Sequence, residues 1–184
     1  MRSLKEKSAI AIAWDFGGLI VTKGSGFIIS IFLARILSPS EFGLIGMSMV
    51  FIAISQVFID VGFNAALIQK KEVSNLEYSS VFYFNIFAGI LLALLFFFSA
   101  PLIGQFYEQG EIARIVRWLS LSFIINSFVQ VQTAVMIKEL NFKSLTLSNM
   151  VASIAGGVIG LLAAFYSFGV YSLVIQNLVT SVIS

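Results

Sequence analysis

The chain contains no cysteine and no histidine among its 184 residues. Disulfides, thiolate nucleophiles, imidazole acid–base chemistry and the usual zinc sites are therefore excluded. Charge is scarce as well. Asp, Glu, Lys and Arg make up 11% of the residues, against about 25% in an ordinary soluble domain. A net charge of +2 is too small to attract nucleic acid, and none is expected as a partner. The sequence shows no phosphate-binding glycine loop, no metal-ligand cluster and no nucleophile beside a base. An enzyme is not expected, nor is a cofactor.

What fills the chain is apolar. Hydrophobic residues reach 59%, and the mean hydropathy is +1.00. In water such a chain would expose large apolar patches and aggregate. The bilayer is the solvent that suits it, and there only helices and closed barrels satisfy the backbone. The apolar runs are long and unbroken rather than alternating, which excludes a barrel. The expected fold class is an all-α integral membrane protein. Arg2 and Lys5 precede an apolar run, as in a signal peptide. Asp15 and Lys23 interrupt that run, and it is longer than a signal core of about 7–15 residues.

A span needs about 20 mostly apolar residues. On that measure the spans fall at 9–37, 42–68, 78–103, 115–137, 144–166 and 169–184. Residues 104–117 read as a loop and interfacial turn, with the third span ending near Pro101. Residues 144–184 carry no charge; as one helix they would run about 60 Å, twice the hydrocarbon core. They are split at Ser167-Phe168-Gly169, and the chain is expected to stop inside or just after its sixth helix. Ser38-Pro39-Ser40-Glu41 matches a capping box with proline at the first helical position, and Leu37 and Phe42 suit a hydrophobic staple. Ser74-Asn75-Leu76-Glu77 repeats the pattern. With the N-terminus in the cytoplasm, that side holds Arg2, Lys5, Lys7, Lys70, Lys71, Lys138 and Lys143. The outer side holds Arg35, Arg114 and Arg117. This asymmetry obeys the positive-inside rule.

Polar residues inside the spans are the candidates for function. Lys23 sits near the middle of the first span, where a charge costs about 2.5–3.5 kcal/mol on insertion scales. Asp60 lies in the second span and Asp15 nearer the cytoplasmic end of the first. Lys23 either faces a cavity and an ionic substrate or pairs with Asp60; the two aspartates are candidates for ion coupling or ion pairing. Gln56, Asp60 and Asn64 recur along the second span, Asn85 aligns with Gly89 on the third, and Ser122, Asn126, Gln130 and Thr133 share one face of the fourth. Together the stripes suit a hydrated path, although inter-helix hydrogen bonding accounts for any one of them. Gly18, Thr22, Gly26 and Ser30, and the pairs Ser153/Gly157 and Gly156/Gly160, read as small-residue faces for close helix packing.

ARILSPSEFG at 34–43, followed by FIDVGFNAALIQKK at 58–71, resembles the polysaccharide-transporter branch of the multidrug/oligosaccharidyl-lipid/polysaccharide exporter superfamily. Trp14, APLI-x-x-FY at 100–107, LNF at 140–142 and FGVYSLV at 168–174 fall in the order that family shows. The resemblance implies two helical lobes around a central cavity, with this chain as the N-terminal lobe. It implies a flippase in the bacterial cytoplasmic membrane. The substrate would be an undecaprenyl-diphosphate-linked oligosaccharide of an O-antigen, capsule, exopolysaccharide or teichuronic acid, moved by alternating access. Membrane lipids and polysaccharide polymerase machinery are the implied partners. Thr22-Lys23-Gly24-Ser25-Gly26-Phe27 looks similar to a segment of lipid-linked peptidoglycan-precursor flippases, with lysine in an arginine's place. Lysine lacks the guanidinium fork, and that relative's second basic position is Ile29 here. On this resemblance Lys23 contacts the diphosphate; Asn126 and Gln130, from the polar face of the fourth span, are further substrate-binding candidates. Two other readings stay open: a drug/cation antiporter of the same superfamily, and a non-transporting scaffold of a polysaccharide assembly complex.

Overall fold

The protein is an all-α, multi-pass membrane protein. A computed structural model describes the backbone of residues 4–59, 67, 70 and 73–184; the side chains of 4–13, 15, 54–59 and 75 fall outside that description. Among the described residues the helices are α1 (Leu4–Ile36), α2 (Pro39–Ile59), α3 (Asn75–Phe106), α4 (Gly110–Lys138), α5 (Phe142–Phe165) and α6 (Tyr171–Ile183). Within α1, α3, α4 and α5 lie stretches long and apolar enough to cross a membrane; the described apolar parts of α2 and α6 are shorter.

The helix starts are encoded locally. The Glu41 carboxylate accepts from the Ser38 backbone N–H at 2.7 Å, and the Ser38 hydroxyl accepts from the Glu41 N–H at 3.4 Å. Leu37 is buried, and Phe42 packs against its cluster. Ser74 and Glu77 make the same reciprocal pair ahead of α3, at 2.9 and 3.3 Å. Lys70 closes on the Glu77 carboxylate as an exposed ion pair.

The helix ends share a second device. Glu108, Leu140 and Ser167 adopt left-handed φ of 54°, 56° and 62° just after α3, α4 and α5. In each case two backbone N–H groups reach back into the last turn, as in Gln109 N to Gly104 O, Asn141 N to Met136 O and Phe168 N to Ala163 O. These are Schellman turns, which satisfy carbonyls that the helix end would orphan. Residues 104–106 and 110–117 are therefore helical, and only 107–109 separate α3 from α4. Nor does α3 end near Pro101; it runs through the proline to Phe106.

Two packed units result. The α3–α4 hairpin is antiparallel: Gly89 faces Ser127, Gly104 faces Ala113, and the Phe96 and Phe123 rings lie 5.4 Å apart. Its core includes Ile103, Ile112, Ile115, Leu119 and Phe123, all buried. In the other unit α1 runs parallel to α5, with Gly18 against Thr146 and Ile29 against Gly157. Antiparallel α6 packs on an adjacent face of α5, where Gly156 meets Thr180 and Gly160 meets Gln176. Without a hydrophobic drive between helices in lipid, such small residues let backbones approach. Gly26, by contrast, has open space around its Cα. α6 joins the two units by packing on α4, and α2 lies against α4 and α3. At one end Glu41 of α2 reaches the corner before α6: a Cβ on Gly169, whose φ is +56°, would lie 2.5 Å from the Glu41 carboxylate.

Candidate functional site

Between Gly18 and Ile29, the two points where α1 is held tightly to α5, the helices leave a cleft. It has a volume of about 290 Å³ and lies among α1, α5 and α6. Thr22 and Lys23 line it from α1, Thr146, Asn149 and Ser153 from α5, Thr180 from α6, and Ser184 from just beyond α6. Gly18, Leu19 and Ala152 complete the lining, which is more apolar than polar, with hydroxyl and amide groups and Lys23 set into it. Lys23 is exposed, and among the described residues it has no ion-pair partner. The apolar stretch of α1 is Phe16–Ile36; at 1.5 Å per residue Lys23 sits about 10 Å from one end of it and about 20 Å from the other. A cation at that depth needs water, a counter-charge or an anionic ligand.

The cleft's polar groups are partly engaged. The Ser184 hydroxyl donates to Asn149 Oδ1 at 3.1 Å, the Ser148 hydroxyl donates to the Ser184 carbonyl at 3.0 Å, and Thr180 Oγ1 donates to the Gln176 carbonyl at 2.7 Å. The carboxamide of Asn149 is thereby turned with its oxygen toward α6. A second groove of about 370 Å³, lined by Trp14, Gly17, Gly18, Val21 and Met150, shares Gly18 with the cleft and is more apolar. At its rim the Lys143 ammonium stands 5.4 Å from the centre of the Trp14 ring, a cation–π contact.

Of the residues expected to act together, Asn126 and Gln130 are half-buried on α4 and line neither space. Their neighbours Ser122 and Ser127 are buried, each donating its hydroxyl to a carbonyl of its own helix. Asn85 is 2% exposed, on the α3 face that packs on α4. Asp60 and Asn64 lie outside the described residues, as do the side chains of Asp15 and Gln56, so a Lys23–Asp60 pair is not described either way. The residues that sequence reasoning missed are Thr146, Asn149 and Thr180. Asn149 and Ser153 recur at four-residue spacing on α5, and that was the available signal.

The sequence profile of the "Polysaccharide biosynthesis protein" family matches residues 32–184. Among curated proteins, the chain is 32% identical over 154 residues to an Escherichia coli K12 protein named "Lipopolysaccharide biosynthesis protein WzxC". That match covers 84% of this chain and 31% of the relative. It is 28% identical over 173 residues to the Rhizobium meliloti "Succinoglycan biosynthesis transport protein ExoT", covering 94% of this chain and 35% of that one. A third relative, the Bacillus subtilis "Teichuronic acid biosynthesis protein TuaB", is 35% identical over 92 residues, half of this chain and 19% of its own. The chain spans about a third of the length of WzxC and ExoT. No solved structure matches.

Proposed function

The chain belongs to the polysaccharide biosynthesis protein family, and from that premise we propose that it forms the N-terminal lobe of a lipid-linked oligosaccharide flippase. The substrate is an undecaprenyl-diphosphate-linked sugar unit, moved across the bacterial cytoplasmic membrane by alternating access between two lobes. The N-terminus and the 139–141 turn face the cytoplasm. The observation that carries the reading is Lys23: an ammonium at membrane depth, beside a cleft that mixes apolar surface with hydroxyl and amide groups, with no acidic partner among the described residues. At membrane depth, where the surroundings have a low dielectric, a cation attracts a diphosphate more strongly than it would in bulk water. A space of about 290 Å³ sits at the low end of small-molecule pockets. It suits the charged headgroup of such a lipid, not a whole oligosaccharide. Asn126 and Gln130 on α4 would meet the sugar from elsewhere in the cavity. Asp60 and Asp15 remain the groups to couple ion flow or to pair with Lys23.

The test is export by the full-length protein. Lys23→Ala abolishes flipping while membrane abundance stays near normal, and Lys23→Arg keeps much of the activity. If Lys23→Ala instead lowers abundance, and adding Asp60→Asn restores both abundance and flipping, Lys23 is an ion-pair partner and leaves the substrate site.

A further inference from the structure

Pro101 lies inside α3. A proline there has no N–H to give the carbonyl four residues earlier, which is Phe97. In lipid no water stands ready to satisfy that oxygen. The structure supplies a donor from the next helix: Arg117 Nε of α4 lies 3.5 Å from the Phe97 carbonyl oxygen. The same guanidinium lies 5.3 Å from the centre of the Phe97 ring. Arg117 has no carboxylate partner among the described residues; the ion pair on this turn of α4 joins Arg114 to Glu111. Phe97 is nine residues from the end of α3 and Arg117 seven from the start of α4. Both therefore sit about 10–14 Å from the 107–109 turn, two to three helical turns into their helices.

We infer that Arg117 is a latch for a hinge at Pro101. The proline opens the hydrogen-bond ladder of α3, and the arginine closes the gap from α4. The turns of α3 beyond the gap are thereby tied to α4, and they move with it when the bundle rearranges. Cation–π contact with the ring holds the guanidinium beside the carbonyl.

The experiment is a cycle on the full-length protein in detergent. Arg117→Met removes the donor and leaves an apolar chain of similar reach. Pro101→Ala restores the N–H that Phe97 lacks. Arg117→Met alone should lower the apparent melting temperature by about 1–2 °C and speed amide hydrogen exchange in 98–106 but not in 80–92. In the Pro101→Ala background the same change should cost clearly less, only the cation–π contact, because the carbonyl now has its own helix's donor. Pro101→Leu serves equally if the alanine variant fails to accumulate. Equal losses in both backgrounds, no loss in the parent, or faster exchange spread along the whole of α3 would each overturn the latch.

Discussion

Gly89 offers the sharpest test of how the α3–α4 hairpin is held. A Cβ at that position would stand 2.7 Å from the Ser127 Cβ and 2.8 Å from the Phe123 carbonyl oxygen, where ordinary contact begins near 3.4 Å. Neither is the free end of a flexible chain, so Gly89→Ala must push the helices apart by about half an ångström, and overpacking of this kind costs about 1–3 kcal/mol. Alanine gains about 0.8–1 kcal/mol over glycine in a helix interior, so the net loss is about 0–2 kcal/mol. Gly24 is the control: nothing lies near its Cα, and Gly24→Ala receives only the propensity gain. The difference between the two variants isolates the overpacking, at about 1–3 kcal/mol, with each kcal/mol worth about 2–4 °C in a thermal melt of the detergent-solubilised protein. Removing the Ser127 side chain with Ser127→Gly should return part of the loss, although the Phe123 carbonyl would still obstruct. Melting temperatures that match for Gly89→Ala and Gly24→Ala would refute the close approach.

Gly169→Ala should destabilise by about 1–2 kcal/mol, the cost of a left-handed residue with a Cβ, and should also disturb Glu41; a melt indistinguishable from the parent would exclude the Glu41–Gly169 contact. Because the chain has no native cysteine, single cysteines report orientation directly. A membrane-impermeant reagent added from outside should label Gln109→Cys and miss Lys71→Cys, and the reverse pattern would invert the topology.

The two capping boxes were legible because they need only residues a turn apart, and Ser38–Glu41 and Ser74–Glu77 form as their spacing demands. The glycine faces of α5 were legible as sites of close approach. Which helix each would receive was not: Gly156 and Gly160 take α6 while Gly157 takes α1, a choice made by tertiary packing. Pro101 misled, because a proline usually ends a helix. The rescue comes from a side chain on another helix, sixteen positions away in sequence. Lys23 announced itself as a charge in an apolar run. Its neighbours Thr146, Asn149 and Thr180 did not, since hydroxyl and amide residues are common in membrane helices and only the parallel α1–α5 register brings them to one cleft. The polar stripe of α4 was visible as a face, but Asn126 and Gln130 do not line the space that Lys23 lines.

The three Schellman turns bear on how the protein is made. Residues 107–109, 139–141 and 166–170 are all that join four successive helices, and each turn is closed by bonds within a few residues of itself. No long tether exists through which one helix could stay behind while its successor crosses. As translation proceeds, none of α3 to α6 can therefore settle independently of its neighbours, since the 139–141 turn ties α4 to α5 as closely as 107–109 ties α3 to α4. A charge change that stalls one helix should disturb the helices on either side of it.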